Sequence, residues 1–331
     1  MKLSAIDLVP ILEGETAHDA MNHARELAVA AEAVGLSRLW LAEHHNAAGL
    51  ACSCPELLLA RLGEVTSRLR LGAGGIMLPN HAPLKVAETF RSLQAMYPGR
   101  IDLGLGRAPG TDPRTAAALR RGTTVDPDAF PRQLDALLAH LKADDTPRAA
   151  FAQSTVAIPT CVPTPAPFIL SSSGFGAELA AKRGLGLAFA HHMNPAEAVA
   201  IVRRYRDAFS PSYDLSRPYA ILSVATICAE TRAEAEHLRL SGDLTMLNFA
   251  QGRRDLPFPR PETAAAHRWT PDEQNLRAMF REAPVVGDVD HVASRLTRLA
   301  EESGADELML ITLVHDQTAR RRSYGLLARA L

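Results

Sequence analysis

Apolar positions along this chain form short continuous runs that alternate with longer segments in which apolar residues recur at helical spacing. The short runs predict buried strands, and the longer segments predict amphipathic helices. The clearest example is residues 71–105. There, an apolar run at 71–76 is followed by a helical pattern that starts at Pro83 and stops at Pro98, and then by a second run at 101–105. Two parallel strands joined by a helix in this way form a βαβ unit.

The same alternation extends over nearly the whole chain. Thr16 and Asp19 have the spacing of a capping box at the start of the first helix, and Gly35 marks the end of that helix. Eight strands are predicted, at 3–9, 38–42, 71–76, 101–105, 168–170, 185–190, 219–228 and 307–312. Eight strands with intervening helices favour a (β/α)8 TIM barrel, an α/β fold, over an open doubly wound sheet.

Two segments rich in proline and polar residues interrupt the alternation, at 108–167 and at 251–286. We therefore predict a single barrel domain over residues 1–331, with insertions after its fourth and seventh strands. Two interpretations of the insertions are open. They are solvated linkers, or they are lids over a site, since long loops in compact domains often serve a function.

Charge and composition exclude several kinds of partner. The chain has 36 basic and 37 acidic residues and a formal net charge of −1, so no strong field attracts nucleic acid or a membrane surface. No apolar run approaches the roughly 18 residues of a membrane-spanning helix, and the amino terminus lacks the pattern of a secretory signal. We expect a cytoplasmic protein. Its four cysteines do not form the pattern of a disulfide framework.

In a (β/α)8 barrel the chemistry lies where the strands end, and the second predicted strand ends in Glu43, His44 and His45. Neighbouring residues of an extended chain point to opposite faces, so only one of the two histidines can face the barrel mouth. The same reasoning applies to His191 and His192 after the sixth strand, and we predict no metal site at either pair. For the histidine that faces the mouth, a structural role and a functional role are both open.

A serine- and glycine-rich turn, SSSGFG at 171–176, follows the fifth strand at the start of a helix. Such a turn combines backbone N–H groups, hydroxyl groups and the positive end of a helix dipole, as phosphate sites do. A plain serine N-cap is the other interpretation. Arg107, after the fourth strand, adds a planar cation suited to a phosphate monoester. Because a barrel places the fourth and fifth strands side by side, the two features together predict a phosphate-bearing cofactor.

Over essentially its full length the chain resembles the bacterial luciferase-like monooxygenases, which are flavin- or deazaflavin-dependent (β/α)8 barrels. The matching segments are LWLAEHH at 39–45, GGIMLPNHAPLKVAE at 74–88, GRIDLGLGRAPGTD at 99–112, SSSGFGAELAAKRGLGLAFAHH at 171–192 and GADELMLIT at 304–312. Their order and spacing, more than any one segment, carry the resemblance.

The resemblance implies a cofactor-binding role for residues at the strand ends: Gly74, Gly75, Arg107, Ser172, Ser173, Gly174, Phe175, Gly176, Ala190 and His191. Reduced FMN would lie across the barrel mouth, with its phosphate held by Arg107, the serines of the turn and Gly176. The two glycines of the third strand would form a bulge beneath the isoalloxazine, where several members of the family have a non-proline cis peptide. His44 would match the active-site histidine.

The reaction that the resemblance implies is external flavin monooxygenation. A separate flavin reductase would supply reduced FMN, and with O2 a small organic substrate would be oxygenated, with His44 as general base or hydrogen-bond donor. A homodimer that pairs through the second and third helices is also expected. Two departures from the luciferase α-subunit argue against long-chain aldehyde bioluminescence. Gly106 lies in a segment where that subunit has a reactive cysteine, and His191 stands where it has a tryptophan.

Two other functions are open. A dehydrogenase that uses the deazaflavin F420 on the same barrel would move hydride without oxygen. The polyglutamyl tail of F420 usually needs extra basic residues beyond the phosphate, where the sequence has Lys182 and Arg183. A non-catalytic flavin-binding protein would keep the phosphate site but could dispense with His44 and with a lid.

Overall fold

The computed structural model describes residues 1–120, 129–142 and 155–331, and its centre is a closed barrel of parallel strands. In chain order the strands are β1 (Lys2–Asp7), β2 (Arg38–Leu41), β3 (Arg70–Met77), β4 (Ile101–Gly106), β5 (Ala166–Ser171), β6 (Gly186–Ala190), β7 (Ala220–Ala229), β8 (Val285–Asp288) and β9 (Glu307–Ile311). Eight of them close the ring in the order β1, β2, β3, β4, β5, β6, β7, β9, and β9 pairs with β1. The predicted (β/α)8 barrel is confirmed.

Helices lie between successive strands of the barrel. In chain order they are α1 (Ala17–Ala33), α2 (Pro55–Gly63), α3 (Pro83–Met96), α4 (Pro113–Leu119), α5 (Ala129–Leu141), α6 (Gly174–Arg183), α7 (Ala198–Asp207), α8 (Arg232–Ala250), α9 (Pro261–Ala266), α10 (Pro271–Phe280), α11 (Val289–Ser303) and α12 (Gln317–Ala330). The predicted capping box of α1 is present. The Thr16 hydroxyl accepts a hydrogen bond from the Asp19 N–H, and the Asp19 carboxylate accepts one from the Thr16 N–H at 2.9 Å.

The insertion after β7 contains more regular structure than the sequence predicts. It includes α9 and α10, and at its end β8 pairs in parallel with the outer part of β7, from Thr226 to Ala229. The sequence pattern does not predict β8, because its four residues are too few for a periodic pattern and its pairing with β7 is a tertiary contact. The insertion after β4 contains α4 and α5, and its residues 121–128 and 143–154 lie outside the described residues.

A buried ion cluster joins three strands near the amino-terminal end of the barrel. Arg38, at the start of β2, donates hydrogen bonds to Asp102 of β4 at 2.7 Å and to Glu307 of β9 at 2.8 Å, and both carboxylates are fully buried. Trp40 Nε1 also donates to Asp102, at 3.0 Å. The residues predicted for chemistry lie at the opposite, carboxyl end of the strands.

β3 is irregular at its two central glycines. Its pairing with β4 shifts by one residue between Ala73 and Ile76. The peptide bond between Gly74 and Gly75 is cis. A Cβ on Gly75 would lie 2.7 Å from the carbonyl oxygen of Gly104, so a larger residue does not fit there. The expected bulge is confirmed, and it includes a cis peptide.

Candidate active site

A cavity of about 290 Å³ opens at the carboxyl end of the barrel. The apolar part of its lining includes Ile6, Leu8, Trp40, Ala42, Leu170, Ala188, Met309 and Ile311. Its polar side chains are His44, Arg107, Ser171, Ser172, Ser173, His192 and Ser223. An apolar cavity with a few convergent polar groups is typical of sites that bind a small organic molecule.

The alternation of side chains along β2 decides which histidine enters the cavity. Trp40, Ala42 and His44 line it, whereas Glu43 and His45 contact each other outside the lining. The Nδ1 atom of His44 is buried without a hydrogen-bond partner among the described residues. Burial lowers the pKa of His44 below its ordinary value of 6.5. A neutral imidazole therefore faces the cavity near neutral pH.

Glu43 is fully buried and binds three groups. Its Oε1 atom lies 2.7 Å from His45 Nε2 and 2.9 Å from His81 Nε2, and its Oε2 atom accepts a hydrogen bond from the Met77 N–H at 2.9 Å. Burial by itself would raise the pKa of Glu43, but the contacts with His81, His45 and Met77 outweigh it and lower this pKa. One carboxylate thus ties the ends of β2 and β3 together. No sequence pattern indicated this role, because His81 and Met77 meet Glu43 only in the barrel.

The turn between β5 and α6 leaves the helix without a side-chain cap. Ser173 is the N-cap residue, but its hydroxyl caps no N–H group. Instead, Ser171 Oγ accepts a hydrogen bond from the Ser173 N–H at 3.1 Å and donates one to the Ser173 carbonyl oxygen at 2.8 Å. The plain serine N-cap, considered above as an alternative, is therefore absent. The first-turn N–H groups of this ten-residue helix are available to an anion.

Two arginines flank this helix start. The guanidinium carbon of Arg107, which follows β4, lies 4.5 Å from the centre of the Phe175 ring, as expected from the pairing of β4 with β5. Stacking on Phe175 restrains this arginine at the cavity. From α7, Arg204 brings Nη1 to 3.9 Å from the position that a Cβ of Gly174 would take. No sequence pattern indicated Arg204, because α7 and α6 meet only in the folded barrel.

The cavity lining includes most of the residues predicted for the site: His44, Gly74, Arg107, Ser172, Ser173, Phe175, Gly176 and Ala190. Gly75 and Gly174 lie beside the lining, in the β3 bulge and in the first turn of α6. His191 requires a correction. It is buried outside the lining, and His192 lines the cavity instead. Ala188 and Ala190 line the cavity, and the same alternation, continued past the end of β6, indicates His192.

Within the described ranges, no three side chains of His, Cys, Asp or Glu are grouped so that they could hold a metal ion. The same ranges contain no helix that is both long and apolar enough to span a membrane. Burial raises the pKa of the Cys228 thiol to about 11 and also raises the pKa of Cys52. Both cysteines therefore stay protonated, as expected of packed interior residues.

Comparisons with known proteins identify the family that this chain matches. A family model described as luciferase-like monooxygenase matches residues 1–307. A luciferase-like monooxygenase of Escherichia coli K12 is 39% identical over 328 residues, which are 98% of this chain and 95% of the relative. The N-acetyl-S-alkylcysteine monooxygenase of Bacillus subtilis 168 is 34% identical over 332 residues, 100% of this chain and 98% of the relative. The crystal structure of apo-MsnO8 has a TM-score of 0.91 and 38% identity, and the match covers 99% of this chain and 98% of that one.

More distant structures share the fold alone. The oxygenating constituent of 3,6-diketocamphane monooxygenase from Pseudomonas putida, in complex with FMN, has a TM-score of 0.72 and 18% identity, over 99% of this chain and 97% of that one. An F420-dependent secondary alcohol dehydrogenase, in complex with an F420–acetone adduct, has a TM-score of 0.67 and 15% identity, over 99% of this chain and 98% of that one. The same barrel thus holds either cofactor in other proteins.

Proposed function

Since this chain belongs to the family of luciferase-like monooxygenases, we propose that it is an FMN-dependent monooxygenase that uses reduced FMN and O2 to oxygenate a small organic substrate. One observation carries the proposal. A largely apolar cavity combines, in one lining, an uncapped helix start, a stacked arginine beside it and a neutral histidine. A flavin monooxygenase needs these features to bind a phosphate, to exclude water and to move a proton.

The residues around the cavity fit FMN. A phosphate would be held by the first-turn N–H groups of α6, by the hydroxyls of Ser172 and Ser173, and by Arg107. Arg204 would add a second cation at the same helix start. Trp40, Ala42 and Leu170 offer an apolar surface to a flavin ring, and Gly74 places main chain in the lining. When bound, reduced FMN would supply the electrons that activate O2.

His44 would hold or release a proton during the reaction. Its ring is neutral near neutral pH and lines the cavity, so it can take up a proton from a bound molecule and return it. A lid over the cavity would keep water away from His44 and from the bound molecule. The insertion after β7 is fastened to the loop after β1, where the Phe258 N–H donates to Ile11 O at 2.8 Å and the Glu13 N–H donates to Phe258 O at 2.9 Å. These contacts support the lid interpretation of this insertion.

One observation favours F420 as a second candidate cofactor. Arg203 and Arg204 line an open groove on α7, and Arg204 lies beside the helix start of the phosphate site. Such a pair could bind an anionic tail that continues beyond the phosphate. Arg183, by contrast, is engaged by Asp135 at 2.7 Å. The sequence pattern indicates basic residues for such a tail only at 182 and 183.

Cofactor binding by the purified protein tests the proposed function. We expect FMN to bind more tightly than riboflavin, which lacks the phosphate, and more tightly than F420. With reduced FMN from an added flavin reductase, the protein should consume O2 and form an oxygenated product. Tighter binding of F420 than of FMN would favour the dehydrogenase, and binding of FMN without turnover would favour a non-catalytic flavin-binding protein.

The variant Arg107→Ala should weaken FMN binding by about 1.5–3 kcal/mol, because it removes a charge-assisted contact with the phosphate. Riboflavin binding should stay nearly unchanged. Titration of both flavins into the variant and the wild type, followed by fluorescence, measures the difference. Arg298→Ala is a suitable control, since this exposed arginine of α11 lies on another helix and pairs with Glu302. An equal loss for both flavins would mean that Arg107 does not contact the phosphate.

Homodimerisation through α2 and α3 stays a prediction, as do the partner reductase and the cytoplasmic location. The two helices expose apolar side chains, with Leu57 71% and Met96 51% exposed. We expect a dimer in sedimentation velocity at micromolar concentration, and Leu57→Asp should shift it towards monomer. Met279→Asp, on α10, places the same charge at a residue that is 66% exposed and should leave the dimer intact. A monomeric wild type would contradict this expectation.

A further inference from the structure

Two polar side chains of the cavity, His192 and Ser223, have no role in the proposed binding of the FMN phosphate. The groups proposed to hold the phosphate follow β4 and β5, with Arg204 of α7 beside them. In the closed ring of eight strands, β6 lies four strands from β2 in either direction, so the two are opposite each other. His192, just after β6, and Ser223, on β7, therefore line the side of the cavity opposite His44.

The surroundings of His192 determine which ring nitrogen carries the proton and whether the ring is charged. Its Nδ1 atom lies 3.2 Å from the carbonyl oxygen of Ser223. A carbonyl oxygen only accepts hydrogen bonds, so Nδ1 carries the proton and donates. Burial lowers the pKa of His192, which keeps the ring neutral. The Nε2 atom of this neutral ring is then a hydrogen-bond acceptor, and it has no partner among the described residues.

Ser223 lies beside His192, and its hydroxyl also lacks a hydrogen-bond partner among the described residues. Ser223 is 7% exposed and lines the cavity, and its Oγ atom is buried with no hydrogen-bond partner in the part of the chain that the structure describes. Burying a hydroxyl without a partner is unfavourable, so such a group in a cavity indicates a ligand atom that completes the bond. The serine can donate a hydrogen bond and also accept one.

The wall around these two polar groups is apolar. Ile6, Leu8, Ala188, Met309 and Ile311 form it, and none of them offers a polar side-chain atom. A molecule bound here would bury an apolar body and present a single polar group to His192 and Ser223. Because Nε2 needs a donor, that polar group must carry a hydrogen.

We infer that His192 and Ser223 form the polar recognition site for the organic substrate, which is a small, mainly apolar molecule with one hydroxyl or amide N–H group. This inference rests on the proposed function for the identity of the molecule as substrate. It makes His192 and Ser223 specificity-determining residues, distinct from His44, which serves the reaction.

A matched pair of probes tests the site without any turnover. Benzyl alcohol and ethylbenzene share the same apolar frame, and the hydroxyl of one replaces the methyl group of the other. Trp40 lines the cavity, and in a Trp269→Phe background its fluorescence reports binding, since the chain has two tryptophans. We expect His192→Leu to raise the dissociation constant of benzyl alcohol relative to that of ethylbenzene by about five- to tenfold, the effect of one hydrogen bond. Ser223→Ala should act in the same direction, and His237→Leu, an exposed histidine of α8, should leave the ratio unchanged.

FMN titrations of the same variants separate the two proposals. Unchanged FMN affinity in His192→Leu shows that the variant is folded. If the probe ratio is then the same as in wild type for both His192→Leu and Ser223→Ala, the inferred substrate site is wrong while the proposed function stands. If the ratio changes as expected but the wild type does not bind FMN, the polar site stands and the proposed function fails.

Discussion

Replacing His44 with alanine is expected to lower the rate of substrate oxygenation by about 10²–10⁴-fold, the usual contribution of a positioned acid or base. The side chain lines the cavity with a neutral imidazole, and its buried Nδ1 atom has no partner among the described residues. FMN affinity should stay nearly the same, because His44 is not part of the phosphate site. Oxidation of reduced FMN should then continue but yield hydrogen peroxide in place of product.

The measurement compares product formed with reduced FMN consumed, using any accepted substrate. His237→Ala is the control, since this exposed residue of α8 is remote from the cavity lining. Unchanged turnover and unchanged coupling in His44→Ala would leave His44 with a structural role.

The pH dependence of the wild type provides a second readout of His44. Burial lowers its pKa below 6.5, so the imidazole stays neutral to a lower pH than an exposed histidine would. If the neutral ring is the active form, the rate should fall only as the pH drops below this lowered pKa. The same acid limb should be missing from the residual activity of His44→Ala.

Replacing Arg38 with methionine is expected to destabilise the fold by about 3 kcal/mol, the lower end of the cost of breaking a buried ion pair. Arg38 bridges Asp102 and Glu307, and both carboxylates are fully buried. Without Arg38, the two carboxylates lose their shared cation and keep weaker contacts. Asp102 still binds Arg70, and Glu307 still accepts a hydrogen bond from the Tyr219 hydroxyl at 2.6 Å. Because these contacts remain, we expect the loss of unfolding free energy to lie at the lower end of the range for a broken buried ion pair.

Denaturant unfolding of the variant and the wild type measures this loss. Arg70→Met is the matched control, because Arg70 binds the same Asp102 but its side chain is 33% exposed. A partly exposed ion pair contributes roughly 1 kcal/mol or less. Equal losses in the two variants would show that burial of Arg38 is not the source of its effect.

The barrel could be predicted because its signal is local and repeated. Each strand is a short apolar run, and each main helix has its own spacing, capping residue or glycine stop, as the capping box of Thr16 and Asp19 shows. The proposed phosphate site could also be predicted from the sequence. Its turn and Arg107 lie directly after neighbouring strands, and the order of strands in a barrel places such residues together.

Other parts of the site come from distant parts of the chain and gave no local signal. Glu43 acquires its function from His81 and Met77, which belong to the next strand and its loop. Arg204 reaches the start of α6 from α7. β8 is a strand because β7 lies beside it.

The sequence by itself determined the alternation of strands and helices, the closed barrel that follows from it, and the positions where strands end in glycine, serine, histidine and arginine. It determined these because hydrophobic period and strand-end chemistry are properties of neighbouring residues. The tertiary structure alone decided that Ser223 of β7 faces the same cavity as His44 and His192, and that Arg204 of α7 reaches the start of α6. These residues belong to separate strands and helices, and they come together only when the ring of strands closes.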